Sequence, residues 1–349
     1  MTVGQHRVVP DIHALAADLA ERVLFPSALA TDDADILPVG HLDALAEAGF
    51  YGLFAPPEVG GIGADFASTC DAVETLASGC LTTTLVWVQH FGLLGSLLGA
   101  PPPLRDGWLA EACRGDRRGG IAFGGLLPGP PVLTASPTSD GWLLDGHAPW
   151  VSGWGRIDTL HVAARGPDET VVNLALDARE GPGLTITRRP LAAVDASSTV
   201  RADFRAVVVP EDRLLGVAPY DPAGSLGTGL RLNGSLALGV ARRCCHLLAS
   251  SRFDDELAAR RTALDAADPG EMANERAKAS AFTMQAATAL VVHAGSSSVG
   301  KDQHPQRLLR EAMFLLVFGS RPMIKQALLD TLGPSWAGHS APDWAGNRL

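Results

Sequence analysis

The sequence has few charged residues and no excess of positive charge. Lys and Arg number 28 against 38 Asp and Glu, which leaves a formal net charge of −10. Because nucleic-acid binding needs a basic surface, this balance argues against nucleic acid as a partner, although it leaves room for a local basic pocket. Hydrophobic residues make up 46% of the chain, so we expect it to fold rather than remain disordered.

Cysteines and long, uninterrupted apolar runs are also scarce. The five cysteines include no C-x-x-C pair, which favours buried, reduced thiols over a disulfide framework. The N-terminus lacks the basic-then-apolar layout of a signal peptide. The most apolar stretch, residues 81–100, contains Gln89, His90 and three glycines, which is typical of a buried helix rather than a membrane span. We therefore expect a cytoplasmic protein without membrane insertion.

Three blocks of different pattern divide the chain and predict three domains. Residues 1–118 show helical spacing of apolar side chains, residues 119–218 show the alternation of β-strands, and residues 219–349 are again helical. Strands and helices do not alternate, so a parallel α/β sheet is excluded. We expect a mainly α protein in which an antiparallel β-barrel or sandwich lies between an N-terminal helical domain and a C-terminal helical bundle.

Local signals predict several element boundaries. Gly49 is a candidate helix stop, and the three prolines at residues 101–103 should end the first helical region. Asp145 and Gly146 stand between two apolar runs, which predicts a tight hairpin turn. Pro210 should end the last regular strand of the β block.

An ordered set of stretches resembles motifs of the acyl-CoA dehydrogenase family of flavoproteins. Residues 48–63 (AGFYGLFAPPEVGGIG) resemble the loop GFxGLxxPExYGGxG, and residues 145–153 (DGHAPWVSG) resemble the strand NGxKxWITN. Residues 204–216 (FRAVVVPEDRLLG) resemble FxxVxVPxxNLLG. Residues 238–241 (LGVA) and 307–312 (RLLREA) resemble LGIA and xRLLRDA. The order and spacing match over most of the chain, so the set is specific.

The resemblance implies that FAD binds between the β domain and the C-terminal helices. It also implies oxidation of an acyl-CoA thioester to its 2,3-enoyl form, in which a carboxylate removes the C2 proton while the flavin takes a hydride from C3. Trp150 and Ser152 match the aromatic and hydroxyl residues that contact the flavin ring. Gly295 and Ser296 match a turn that reaches the FAD of a neighbouring subunit. The predicted cofactor-binding residues are Phe123, Gly125, Leu127, Trp150, Ser152, Gly295 and Ser296.

The same motifs predict several losses. Leu126 stands where a threonine is expected to bond the flavin pyrimidine, although the backbone there could still do so. Gly319 stands where the catalytic glutamate is expected, and residues 229–231, at a second base position used by some relatives, hold no carboxylate. Arg252 matches the pyrophosphate clamp poorly because three carboxylates follow it. No catalytic residue is therefore identifiable.

Three further features bear on this interpretation. Residues 295–301 (GSSSVGK) fit the phosphate-loop pattern, but Asp302 follows where Ser or Thr is needed and a helical run precedes, which disfavours nucleotide hydrolysis. Glu311 and Asp330 are carboxylates in the helical region around Gly319, and both are typical of structural or solvated charges. The ten histidines show no metal-ligand spacing, so no metal site is expected.

The sequence leaves three functions open. The first is an FAD-dependent acyl-CoA dehydrogenase that forms the α,β double bond of an acyl-CoA or similar thioester, with an unidentified electron acceptor. The second is a catalytically impaired subunit of a heteromeric acyl-CoA dehydrogenase. The third is a flavin-dependent oxygenase on the same fold. Family members are commonly dimers or tetramers, so the resemblance implies a homo-oligomer or a heteromer with a related subunit.

Overall fold

Helices form the N-terminal part of the protein. The computed structural model describes residues 11–221, 226–319 and 321–333. The first helix is capped by the Asp11 carboxylate, which accepts a hydrogen bond from the Ala14 N–H at 3.1 Å. The third helix stops just before Gly49, as predicted. The bounds are α1 (Ile12–Leu19), continued by a π turn (Ala20–Leu24) into α2 (Phe25–Asp32), then α3 (Val39–Glu47), α4 (Phe66–Gly79), α5 (Leu81–Gly99) and α6 (Pro102–Arg114).

The prolines at residues 101–103 both end one helix and begin the next. α5 ends before them, at Gly99, as predicted, but Pro102 is also the first residue of α6, a helix that the sequence analysis did not predict. Proline is tolerated at a helix start because the first N–H groups of a helix have no intrahelical partner.

α5 was predicted to be a buried helix. By length and composition it could cross a membrane, but 67% of the window concerned is buried inside the protein. Two of its polar side chains form hydrogen bonds there: the Gln89 amide donates to the Leu85 carbonyl at 2.8 Å, and His90 Nδ1 accepts from the Gly119 N–H at 3.0 Å, while His90 Nε2 is buried without a partner. The helix therefore packs as part of the core.

One sheet occupies the middle of the described chain. Its strand order is β6-β7-β3-β2-β4-β5-β8, with β1 beside β4. The pairs are antiparallel except β1 with β4 and one residue pair between β2 and β4, so the sheet is mixed. β7 ends immediately before Pro210, as predicted. The bounds are β1 (Gly119–Ala122), β2 (Leu133–Thr138), β3 (Gly141–Val151), β4 (Thr159–Arg165), β5 (Thr170–Asp177), β6 (Leu184–Arg188), β7 (Val200–Val209) and β8 (Leu214–Pro219).

The hairpin turn predicted at Asp145 and Gly146 is wrong. Both residues lie inside β3, which continues through them and pairs with β7, with a shift of register at this point. The turn lies instead at Ser139 and Asp140, between β2 and β3. Gly146 has a φ of +117°, and a Cβ there would lie 2.2 Å from the Val132 carbonyl oxygen. Glycine is therefore needed for a β-bulge against a neighbouring segment rather than for a turn.

Helices follow the sheet and pack against the N-terminal helices. α7 approaches α4 so closely that a Cβ on Gly239 would lie 2.5 Å from the Glu74 carbonyl oxygen, so this position needs a glycine. Apolar side chains of α4, α5, α7, α9 and α10 share one core. Residues 334–349, the end of the predicted C-terminal domain, lie outside the described residues. The bounds are α7 (Leu226–Leu248), α8 (Ser251–Ala266), α9 (Met272–Ala294), α10 (His304–Val317) and α11 (Pro322–Leu332).

Candidate functional site

The end of β3 presents an aromatic ring at the surface. Val151 is buried and pairs with Val200 of β7, whereas the preceding Trp150 is 47% exposed. The guanidinium carbon of Arg189 lies 4.9 Å from the centroid of the Trp150 ring. Because covering an indole buries a large apolar area, a half-exposed tryptophan at a strand end offers a stacking surface for a ligand or partner.

A chain of three hydroxyl groups lies next to this ring. Ser152 Oγ is 2.9 Å from Thr199 Oγ1, which is 2.8 Å from Ser197 Oγ. Thr199 and Ser197 are buried, and the Gly153 N–H donates to the Ser197 carbonyl at 2.7 Å, so the segment after β3 is held against the start of β7. The half-buried Ser152 hydroxyl is thus fixed at the outer end of the chain, where it can donate or accept a further hydrogen bond.

The turn between β1 and β2 carries three of the predicted cofactor residues. The Phe123 ring packs edge-to-face on His161 with centroids 4.9 Å apart, and burial lowers the pKa of His161 to about 4, which keeps it neutral. A Cβ on Gly125 would lie 2.4 Å from the Arg165 nitrogen, so the turn is pressed against β4. Leu127 is 38% exposed, and its N–H donates to no other group in the described part of the chain. The turn therefore offers a free backbone donor at the surface.

Arg165 links this turn to the segment that follows β8. Its guanidinium donates to the Gly125 carbonyl from Nε at 3.3 Å and from Nη2 at 3.2 Å. It also stacks on Tyr220, 3.3 Å from the ring centroid. Burial lowers the pKa of Arg321, and the nearby Tyr220 phenol raises it. Since Arg321 immediately precedes α11, the fold brings the β1–β2 turn close to the junction between α10 and α11.

The predicted glutamate position lies at this junction, beside α7. Gly319 has a φ of +61°, and a Cβ there would lie 2.9 Å from Nδ2 of Asn233. The carbonyl groups of Leu315 and Phe318 accept hydrogen bonds from the buried Arg276 at 3.0 and 3.3 Å, which holds the end of α10 in place. Burial lowers the pKa of Arg276 to about 10. A side chain at position 319 would therefore require a strained backbone and displacement of the Asn233 amide.

The carboxylates on the surrounding helices have other partners. Glu311 is buried and forms an ion pair with Arg307, one turn earlier on α10. Burial raises the pKa of Glu311, and Arg307 opposes that shift. Asp330 is exposed and accepts a hydrogen bond from the Gln326 amide at 2.8 Å. These contacts agree with the structural and solvated roles predicted for the two carboxylates.

The remaining predicted residues lie on the exposed surface of the C-terminal helices. Gly295 and Ser296 belong to a turn between α9 and α10, and contact with the FAD of a neighbouring subunit stays a prediction. The residues before the turn are helical, whereas a phosphate loop follows a strand. Arg252 is exposed near the start of α8. Across residues 11–221, 226–319 and 321–333, no group of three His, Cys, Asp or Glu could hold a metal ion.

Sequence reasoning missed Asn233, Arg165 and Arg276. The two arginines are 7% and 1% exposed, and a buried guanidinium is costly unless its N–H groups are bonded. For Asn233, the available signal was a polar residue near several apolar ones, whereas the two arginines carry no comparable sequence signal. That signal marks a constrained position but does not identify its partners, which come from other parts of the chain.

The chain is similar in sequence to known enzymes. A family model described as "Acyl-CoA dehydrogenase, N-terminal domain" matches residues 11–116. The chain is 29% identical to benzylmalonyl-CoA dehydrogenase from Aromatoleum aromaticum, over 72% of this chain and 68% of that protein. It is 28% identical to the mitochondrial short-chain specific acyl-CoA dehydrogenase from Bos taurus, over 69% of this chain and 63% of that protein. The chain thus spans less than two thirds of the bovine relative's length, 63%.

Solved structures share the fold. Butyryl-CoA dehydrogenase from Megasphaera elsdenii superimposes with a TM-score of 0.79 at 18% identity, over 94% of this chain and 98% of that one. The FAD complex of PigA superimposes with a TM-score of 0.78 at 17% identity, over 95% and 99%. The common architecture is an N-terminal helical domain, a central mixed sheet and a C-terminal helical bundle. The fold class predicted from the sequence is confirmed.

Proposed function

Since the chain is similar in sequence to acyl-CoA dehydrogenases and shares their fold, we propose that it belongs to the acyl-CoA dehydrogenase family and is an FAD-dependent oxidoreductase that catalyses α,β-dehydrogenation of acyl-CoA thioesters. The observation that carries this proposal is the half-exposed indole of Trp150 beside the Ser152–Thr199 hydroxyl pair. A flat heteroaromatic ring needs a stacking face and a hydrogen-bonding edge, and this strand end supplies both. One protein of this fold is known as a FAD complex.

The residues at the site fit an isoalloxazine ring. Trp150 would stack on the ring, the Ser152 hydroxyl would bond its polar centre, and the Leu127 N–H would bond its pyrimidine edge. Phe123 and Gly125 shape the turn that carries this N–H. FAD, when bound, accepts the hydride that leaves C3 of the acyl group. We propose that Gly295 and Ser296 contact the FAD of a neighbouring subunit in an oligomer.

Gly319 separates this chain from a complete dehydrogenase. A positioned general base contributes about 10²–10⁴-fold to the removal of a proton, and glycine cannot supply one. Glu311 does not replace it, because that carboxylate is buried against Arg307. We therefore propose that the catalytic glutamate is lost and that turnover by the chain alone is slow. The same observation favours, as a second candidate, an impaired subunit that supports an active relative in a heteromer.

The test begins with the purified full chain and its visible spectrum. A flavoprotein should be yellow, or should become yellow when FAD is added and excess FAD is removed. Butyryl-CoA, added without oxygen, should then bleach the flavin slowly if the chain is a dehydrogenase. A Trp142→Ala variant serves as the structural control for Trp150→Ala, because both tryptophans lie on β3 but at opposite ends.

Each outcome separates the candidates. A colourless chain that cannot be reconstituted with FAD would refute the flavoprotein assignment. A yellow chain that is not bleached, and that co-purifies with a relative retaining the glutamate, would identify the impaired subunit. Flavin that is reoxidised by oxygen together with oxygenation of the thioester would identify the oxygenase instead.

A further inference from the structure

Asn233 is a polar residue inside α7, near the predicted glutamate position. It is half-buried, and its amide makes no hydrogen bond within the described residues. Its neighbour Gly234 packs against Leu264 of α8, so this part of α7 is enclosed. Asparagine is a weak helix former, so its presence inside a 23-residue helix needs a reason.

The position of Asn233 relative to Gly319 suggests that reason. Nδ2 of Asn233 lies 2.9 Å from the point that a Cβ on Gly319 would occupy. By the family resemblance, a side chain at position 319 faces C2 of the acyl group. Nδ2 therefore lies beside the point where the missing side chain would begin, so a polar substituent of the substrate can reach it through the space that this side chain would fill.

An amide and a carboxylate act differently on a bound acyl group. At neutral pH a carboxylate accepts protons, whereas an amide offers two N–H donors and one carbonyl acceptor. A site built to hydrogen-bond a hydroxyl or carbonyl rejects analogues that lack this group, because its own polar group is then left unpaired. An alkyl chain would leave the Asn233 amide unpaired in this way.

Resting on the proposed function, we propose that Asn233 determines specificity by hydrogen-bonding a hydroxyl or carbonyl substituent near C2 or C3 of the acyl group. The substrate class is then a polar acyl-CoA thioester rather than a plain alkyl one. Gly319 allows this contact because it leaves the space beside Nδ2 open.

The experiment compares binding of two thioesters to the full chain reconstituted with FAD. Dissociation constants of butyryl-CoA and 3-hydroxybutyryl-CoA are measured by calorimetry without oxygen. One net hydrogen bond corresponds to a preference of about tenfold for the hydroxy compound. Asn233→Leu should reduce the preference to about onefold. Asn274→Leu, the same change at an exposed position of α9, should retain it.

Two failures are distinguishable. If the wild-type chain binds both thioesters equally, or if Asn233→Leu keeps the preference, the role of Asn233 is refuted while acyl-CoA binding stands. If neither thioester binds, the proposed function fails and the Asn233 inference fails with it. The wild-type comparison is decisive even if the leucine variant does not fold.

Discussion

Alanine at position 319 should destabilise the protein by more than alanine at another glycine that has a left-handed backbone but free space around its would-be Cβ. An alanine held at a φ of +61° costs about 1–2 kcal/mol relative to glycine. Its Cβ would also lie 2.9 Å from Asn233 Nδ2, so the amide must leave its position at a further cost of about 1 kcal/mol. We expect Gly319→Ala to lower the free energy of unfolding by about 2–3 kcal/mol in total.

Gly60→Ala is the matched control. Gly60 lies in the left-handed region with a φ of +92°, and the nearest atom to its would-be Cβ is Cys113 Cβ at 3.9 Å, so only the backbone cost of about 1–2 kcal/mol applies. Urea unfolding of both variants, at fixed FAD concentration, measures the difference. Repeating the pair in an Asn233→Ala background should remove the additional loss at position 319 and leave the loss in Gly60→Ala unchanged. Equal losses at the two glycines, or no coupling to Asn233, would show that the amide does not face Gly319.

The other predictions concern the cofactor and pH. Trp150→Ala should lower flavin retention after gel filtration, and Trp142→Ala should not; equal retention in both would make Trp150 an ordinary surface aromatic. Leu126→Thr should tighten FAD binding by about tenfold, corresponding to one hydrogen bond, whereas Leu127→Thr should leave it unchanged in a fluorescence titration. Burial lowers the pKa of His161 from 6.5 to about 4, so the unfolded chain is protonated first as the pH falls. The free energy of unfolding should therefore decrease from pH 6.5 toward pH 4, and it should decrease less in the His161→Asn variant. The same dependence on pH in the variant and the wild type would refute this prediction.

Local chemistry explains which sequence predictions succeeded. A carboxylate at the start of a helix, a glycine at its end and a proline after a strand act on groups within a few residues. The stop at Gly49 and the end of β7 before Pro210 were therefore predictable. The periodicity of apolar residues predicted the order of the helical, β and helical blocks, and the family resemblance then identified the fold that they form.

The wrong and missing predictions depend on groups that are distant along the chain. Asp145 and Gly146 carry the signal of a turn, but pairing of β3 with β7 makes them a bulge. Pro102 begins α6, whose apolar residues pack in the core, but a proline is compatible with both the end and the start of a helix, so the local signal does not decide between them. The cofactor residues have not yet been tested, so Trp150 and Ser152 stay predictions supported by their exposure and hydrogen bonding.

The amino-acid order alone specifies the blocks of helices and strands, several of their ends and the absence of a carboxylate at position 319. Folding specifies what surrounds that position. Asn233 is 86 residues away along the chain from Gly319, yet the packing of α7 against the end of α10 places its amide at the site. Arg165 likewise joins the β1–β2 turn to Tyr220, which is 55 residues further along the chain and follows β8. Such contacts follow from burial and shape across the whole molecule, so they can be known only when the chain is folded.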